Sequence, residues 1–492
     1  MSQVFSRTLR EAPSAADSKG YELLLRAGFI QQLGAGIFSL LPLGLLSIRK
    51  IEHIIRSEMN AIGGQELLMP VVNPADIWKE TGRFYSIDKE MGRFQDRVGR
   101  DMVLAMTHEE CVTDIARFEI DSYKRLPQLV YQLQTKWRDD PRPRAGLIRV
   151  REFTMKDSYS FDRDYEGLLR QYKAHYTSYF RIFSRCGLPV IAVGSDSGMM
   201  GGKVAHEYMY LSPIGEDTII TCPSCGYTAN RQVAVFKKTH RKEAMLPLQE
   251  VSTPECKTIE ELARYLNIDE TQTAKALFMI GTFIDPTSGD ETQRLIIGVI
   301  RGDLEIEENK LQNAAKANAM RPAHIEEIQA KKMEPGYGSP IGASADVMVI
   351  VDDSVANASN LVAGANRAGY HLLNTNFGRD YDGQVADIAS AATGYPCPEC
   401  GTPLNQSKGI EVGNIFQLGT RYSESMGCLY QDDDGQRKPV IMGSYGIGVG
   451  RLLACLAEEY HDDSGLMLPI SDAPYQVHLV SLLKEPHIAD KL

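Results

Sequence analysis

The side chains best suited to chemistry lie in residues 137–161, WRDDPRPRAGLIRVREFTMKDSYSF, where Arg138, Arg142, Arg144, Arg149 and Arg151 surround Asp139 and Asp140. A guanidinium fork grips phosphate and carboxylate oxygens through two parallel hydrogen bonds, which a lysine point charge does not. So many forks on one strand–loop–strand unit point to a polyphosphate held from several sides; the plain alternative is a solvated basic hairpin. A second stretch weighs toward the ligand. Met442 to Arg451, MGSYGIGVGR, has glycines at 443, 446, 448 and 450, and Arg451 then opens an apolar helical run. Such glycines let a backbone lie close to a flat ligand. The stretch lacks the Lys-Ser/Thr of a P-loop and does not open a βαβ unit, which argues against a dinucleotide fold.

These residues need elements to hold them. Tyr21, Leu24, Leu25 and Gly28, then Leu45, Ile48, Ile51, Ile54 and Ile55, recur at helical spacing and predict mainly helix over residues 19–60. Gln65 to Val72 reads as a strand, Asp164 to Gly187 as a helix stopped by its glycine, and Leu188 to Val193 as the next strand. His206 to Leu211 and Glu216 to Thr221 read as a strand pair. The texture then changes. Lys237 to Glu250 is polar and basic; Thr258 to Leu266, Lys310 to Asn318 and Ala323 to Lys331 read as helices; Leu295 to Ile300 and Ala345 to Val351 read as short buried strands. This block reads as a separate α/β domain.

The block is bracketed by Cys222-Pro223-Ser224-Cys225-Gly226 and Cys397-Pro398-Glu399-Cys400-Gly401. Two such knuckles, with glycine turning backbone amides toward thiolates, form a zinc-ribbon signal. The four cysteines are expected to hold a structural Zn²⁺ at the neck of the block, with two redox CxxC pairs as the rival. All-cysteine coordination leaves no open position for catalysis.

Bulk composition sets the frame. At 492 residues the chain exceeds the roughly 250–300 residues at which single cores stop growing. A net charge of −11 argues against non-specific nucleic-acid coating, but leaves room for a local basic face. The N-terminus shows no apolar signal core. The most apolar stretch, Ala35 to Leu46, is interrupted by Pro42 and falls short of the roughly 20 residues of a membrane helix. The chain therefore reads as cytoplasmic, without a membrane partner, and its nine cysteines as ligands or core thiols.

With these motifs in order, the chain resembles a known family. Arg138 with Arg151-Glu152-Phe153 is similar to motif 2 of the class II aminoacyl-tRNA synthetases, Gly443 to Arg451 to motif 3, and Arg49 to Pro70 to motif 1. Thr107-His108-Glu109-Glu110, Arg142 to Gly146, Met155 to Phe161 and Gly409 to Thr420 resemble the bacterial-type prolyl-tRNA synthetases. The resemblance runs from about Phe5 to about Val480.

The resemblance implies an α+β fold: an antiparallel catalytic sheet flanked by helices, with an inserted α/β editing-type domain on a zinc-ribbon-like neck. The expected divisions are 1–221 and 401–470 for the catalytic domain, 222–400 for the insertion, and 471–492 for the start of an anticodon-binding domain. It implies a homodimer that takes L-proline, Mg²⁺-ATP and tRNA(Pro), forms prolyl adenylate and pyrophosphate, and transfers proline to the terminal adenosine of the tRNA. Arg138 is then expected to bridge the proline carboxylate and the α-phosphate, and Arg451 to grip the γ-phosphate. Asp140, Arg151, Phe153, Glu411, Gln417 and Thr420 are expected at ATP, Phe153 stacking on adenine and Glu411 acting through Mg²⁺. Thr107, Glu109 and Ser444 are expected at proline, with Glu109 meeting its ammonium and Glu207 a further lining candidate.

The chain departs from the family at Asp140, where glutamate is usual, at Ser444, where cysteine is common, and at Asn414, where histidine is common. The insertion is expected to hydrolyse mischarged alanyl-tRNA, because a missing methylene is worth only about 1–3 kcal/mol of discrimination. Gly302, Asp352 and His371 are its expected site residues, and Ile280 stands where many members have lysine. The family continues past this point into an anticodon-binding domain of roughly 100 residues. Ala473 to Leu482 is similar to its first strand, and the expectation is adenylate formation with weak tRNA charging. Two rival readings are a tRNA-independent proline-adenylate former and a non-catalytic RNA-binding regulator.

Overall fold

The computed structural model describes residues 4–11, 16–87, 89–196 and 205–478. Its centre is a nine-stranded, mostly antiparallel sheet. The run Gln65–Glu66, Gln128–Trp137, Glu152–Asp162, Ile441–Gly448 and Asn405–Gly419 forms one half. Beyond Asn405–Gly419 lie Asp217–Thr221, Thr228–Asn230, Ile191–Ser195 and Ala205–Leu211. The strand alternation sorts chemistry from core. Along Glu152–Asp162, Phe153 and Met155 face a cleft, whereas Lys156 and Ser158 face the helix Tyr165–Arg185, where Lys156 Nζ donates to Tyr179 Oη at 2.6 Å.

Helices cover that second face. Tyr165–Arg185 is started by Asp164, whose carboxylate accepts from Gly167 N at 2.7 Å. Pro42–Ala61 begins with proline, whose missing N–H costs nothing at a helix start. With Val449–Glu459 they bury Ile51, Ile55, Tyr179, Phe183, Leu452 and Leu453 against Ile415 and Ile447 of the sheet.

The mainly helical reading of residues 19–60 resolves into two helices, Lys19–Arg26 and Pro42–Ala61, with a hairpin of Ile30–Gly34 and Ile37–Leu40 between them. Gly28 and Gly36, at φ 71° and 70°, make the turns that a helix cannot. The expected strand 65–72 is strand only at Gln65–Glu66 and again at Val72–Pro74. Ala205–Leu211 and Asp217–Thr221 do not pair with each other; both pair with Asn405–Gly419. Of the expected strand 473–482, residues 473–478 are not strand, and the rest lies outside the described residues.

The chain leaves the central sheet at Thr221 and Asn230 and rejoins it at Asn405, the cross-strand partner of Thr221. Between these points stands a second, five-stranded sheet of Ala319–Pro322, Ala274–Ile284, Glu291–Arg301, Met348–Asp352 and Gln384–Ala386. A three-stranded sheet of Gln249–Ser252, Tyr370–Thr375 and Leu361–Gly364 packs beside it. The helices foreseen there are present as Ile259–Leu266, Glu308–Ala315 and Ile325–Gln329. Lys238 pins the connecting segment to this unit: its buried ammonium meets Asp352 at 2.9 Å, Asp387 at 2.6 Å, and Asp353.

Candidate active site

The cleft opens where the paired strands Glu152–Asp162, Ile441–Gly448 and Asn405–Gly419 meet the loop after Trp137. Arg138, Asp140, Arg149, Phe153, Glu411 and Arg451 all line it, with Gly446 and Gly448 on its floor. Arg451 sits in the first turn of Val449–Glu459 and donates to Ile148 O and to Glu411 O, each at 2.7 Å. Its guanidinium is 3.6 Å from the Glu411 carboxylate, whose other oxygen accepts from Asn414 Nδ2 at 2.6 Å. Asn414, noted as a departure, thus orients Glu411.

Arg138 is the hinge of the site. Its guanidinium reaches Met106 O at 3.3 Å, the residue before Thr107, and lies 5.4 Å from the Phe153 ring centre. Burial and the positive field of Arg451 push its pKa down, while Glu411 and Glu109 pull it back; a guanidinium stays charged throughout.

Beyond Met106 is a buried polar cluster of Thr107, Glu109 and Ser444. Glu109 opens the helix Glu109–Glu119 and is fully buried. Its Oε2 accepts from Thr107 Oγ1 at 2.5 Å and its Oε1 from Ser444 Oγ at 2.9 Å. The loop is held from behind by His108, whose backbone N donates to Tyr159 Oη at 3.1 Å. Tyr159 in turn donates to Asp157 Oδ2 at 2.8 Å, and Lys136 meets Asp157 Oδ1 at 2.8 Å. Burial holds His108 down at about 4, so its ring is neutral, and Nε2–H donates to Pro70 O at 3.0 Å.

Other expected site residues fall elsewhere. Arg151 turns outward to Asp139 at 3.1 Å and Ala35 O at 3.4 Å. Arg149, one of the arginine forks of this loop but not singled out for ATP, is on the cleft wall, held by Asp140 at 2.7 Å and Glu216 at 2.6 Å. Burial raises the Asp140 pKa but Arg149 and the Arg142 amide outweigh it, holding the carboxylate below its usual range. Gln417 lies further along its strand, opposite Gly443, and Thr420 caps the short helix Arg421–Ser425; neither lines the cleft. Glu207 faces Asn230, which donates to it at 3.1 Å, and burial together with Glu411 raises its pKa well above the carboxylate range. Arg83 was not foreseen and Glu110 was named only within its motif; they form a buried pair at 3.0 Å beside Glu109.

Cys222, Cys225, Cys397 and Cys400 converge, with their sulfurs all within 4.8 Å of one another and facing pairs at 3.5 and 3.6 Å. A tetrahedral thiolate site with Zn–S of about 2.3 Å needs sulfurs about 3.8 Å apart, so the donor set fits zinc. Gly226 and Gly401 both take φ 80°, a left-handed conformation that glycine adopts without strain.

In the second unit, His371 is buried, with Nδ1 2.7 Å from Thr253 Oγ1 and its ring 5.5 Å from that of Tyr337. Burial pushes its pKa down to about 4. Gly302 is packed so closely that a Cβ would stand 1.9 Å from Thr273 Oγ1. Asp352 differs from its expectation in its surroundings. One oxygen accepts from Ser354 N at 2.9 Å, the other from Ile388 N at 2.9 Å, and both meet Lys238. With its oxygens so engaged, it anchors the neck segment.

The tRNA synthetase class II core domain (G, H, P, S and T) matches residues 92–460. A proline–tRNA ligase of Salinispora tropica is 55% identical over 484 residues, covering 98% of this chain and 81% of that protein. One from Dehalococcoides mccartyi is 47% identical over 483 residues, covering 98% and 83%. Among solved structures, Giardia lamblia prolyl-tRNA synthetase in complex with prolyl-adenylate shares the fold at a TM-score of 0.50 and 13% identity. That likeness covers 92% of this chain, which spans 55% of the Giardia chain. Among the described residues no helix is long and apolar enough to cross a membrane.

Proposed function

The chain belongs to the proline–tRNA ligase family of class II synthetases, and on that premise we propose that its cleft takes ATP and that L-proline binds beside it, at the buried polar cluster of Thr107, Glu109 and Ser444. It is an aminoacyl-tRNA ligase that activates proline and charges tRNA with it. The observation that carries the site assignment is the position of Arg138: its guanidinium touches the main chain beside Thr107 and lines the same cleft as Arg451. A group so placed meets both the amino-acid carboxylate and the α-phosphate, cancels their repulsion and faces the charge that develops between them.

Glu109, fixed by Thr107 and Ser444, offers its carboxylate to the secondary ammonium of proline; a buried charge of this kind accepts a cation and rejects a neutral amine. Phe153 stacks on adenine, and Asp140 meets its amino group. Arg149 and Arg451 take the polyphosphate, with Arg151 bracing the loop from outside. Holding the reactants in line supplies the rest of the acceleration. Glu411, backed by Asn414 and near the acidic Glu207 and Asp217, fits the Mg²⁺ that accompanies ATP. That ion, when bound, neutralises phosphate charge.

The four cysteines hold a structural zinc that ties the neck to the central sheet. The inserted unit removes alanine from mischarged tRNA. His371, neutral and hydrogen-bonded, meets the terminal ribose or the hydrolytic water, and Gly302 keeps the wall beside it close. The partner is a second copy of the chain, seated on the apolar groove of Leu67, Ile115 and Ala116 at the sheet edge, beside the exposed Leu68 and Phe118.

A non-hydrolysable prolyl-adenylate analogue tests the bridging assignment by calorimetry. Binding that is lost in Arg138→Ala supports it, and equal affinity in the variant refutes it.

A further inference from the structure

Glu109 and Glu110 are adjacent, both buried, and share one guanidinium. Arg83 enters on the short helix Arg83–Ser86 after Gly82, which takes φ 72°. Its Nη1 lies 3.0 Å from each oxygen of Glu110 but 3.6 Å from Glu109 Oε2. Thr81 Oγ1 adds a hydrogen bond to Glu110 Oε1 at 2.9 Å. The rings of Trp78 and Tyr422 flank the guanidinium at 5.0 and 5.7 Å, fixing its plane. None of the three charged side chains exceeds 4% exposure.

Arg83 gives its short contacts to Glu110 and only the longer 3.6 Å approach to Glu109, which also lies in the fields of Arg138 and Lys136. We infer that Glu110 and Arg83 are positioning residues for proline selection: Glu110 draws Arg83 away from Glu109, so that Glu109 stays oriented and only loosely paired until the substrate ammonium arrives. This rests on the assignment of Glu109 to the ammonium. Without Glu110, Arg83 closes on Glu109 and neutralises it before substrate does. Without the fork of Arg83, two buried carboxylates repel, and a lysine point charge restores the balance without the fixed direction. Glu110 and Arg83 touch neither substrate; both act through Glu109.

The test is proline-dependent ATP–pyrophosphate exchange on the full chain, with wild type, Glu109→Gln, Glu110→Gln and Arg83→Lys. The isosteric Glu110→Gln is expected to raise KM for proline on the order of tenfold or more, with KM for ATP within about twofold and proline-over-alanine selectivity reduced. Arg83→Lys is expected to raise KM for proline by a smaller factor, again without moving KM for ATP; if Glu110→Gln does not fold, this variant decides. A merely structural pair would lower kcat or melting temperature and leave the ratio of the two KM values unchanged, and that result overturns the inference. If Glu109→Gln itself leaves KM for proline unchanged, the underlying assignment fails and the inference with it. If Glu109→Gln is impaired while Glu110→Gln and Arg83→Lys match wild type, the inference alone fails.

Discussion

Ser444 donates its hydroxyl to Glu109 Oε1 at 2.9 Å, from a strand 335 residues further along the chain. This one contact ties the glycine-rich strand to the loop that carries the amino-acid pocket. It also gives a role to a residue that departs from the cysteine common in the family, since a hydroxyl donates to a carboxylate more strongly than a thiol does.

Ser444→Ala is therefore expected to raise KM for proline by roughly tenfold, the value of one hydrogen bond to a charged group. KM for ATP should stay within about twofold. Exchange kinetics at varied proline and at varied ATP separate the two effects.

Arg149 and Arg151 should part company. Arg149 lines the cleft and Arg151 is paired outside it. Arg149→Ala is expected to raise KM for ATP by about tenfold or more, the loss of a charge-assisted contact. Arg151→Ala should change it by less than about threefold, acting only through loop position. Equal effects would place both guanidinia at the nucleotide.

The sequence identified the loop but not which arginine faces inward, because that depends on the turn at Ala145 and Gly146, at φ 52° and 60°. Phe153, expected at the nucleotide from its motif alone, does line the cleft. The charges Arg138, Glu109 and Arg451 were legible because they lie in contiguous motifs. Arg83 was not: it reaches Glu110, 27 residues away, only through a turn at Gly82 and two flanking rings. The hairpin within residues 19–60 was announced by Gly28, Gly36 and Pro42, and helical periodicity on either side masked it. Gln417 and Thr420 were placed by motif order, which says nothing of how far along a 15-residue strand the cleft extends.

Zinc removal should act on stability more than on chemistry. The wild type is expected to carry one zinc per chain by elemental analysis. Cys397→Ser should lose it and lower the melting temperature, with proline-dependent exchange retained wherever the chain stays folded. Metal-free wild type with an unchanged melting temperature would remove zinc from the account.

Asp162 gives a pH signature. It is 1% exposed, and among the described residues its Oδ2 has no hydrogen-bond partner. Burial pushes its pKa up to about 7, against the smaller opposing pulls of Ser160 and Arg170. Between about pH 4 and pH 7 the unfolded chain has released this proton while the folded chain keeps it, so Asp162 makes stability fall as pH rises through that window. The penalty is complete above the folded value. Asp162→Asn is thus expected to raise the melting temperature at pH 8, by up to about 4 kcal/mol in free energy, and to change it little at pH 4. Thermal melts at the two pH values check the sign.

The central claim is that Arg138 joins a proline pocket to an ATP cleft. Amino-acid-dependent ATP–pyrophosphate exchange with proline, alanine and cysteine, on wild type and on Arg138→Ala, tests it most directly. The account predicts exchange that favours proline and falls by about 10²–10³ in kcat in the variant, while the variant melts as wild type does. Exchange that survives Arg138→Ala undiminished, or a folded wild type that exchanges with none of the three amino acids, would contradict it.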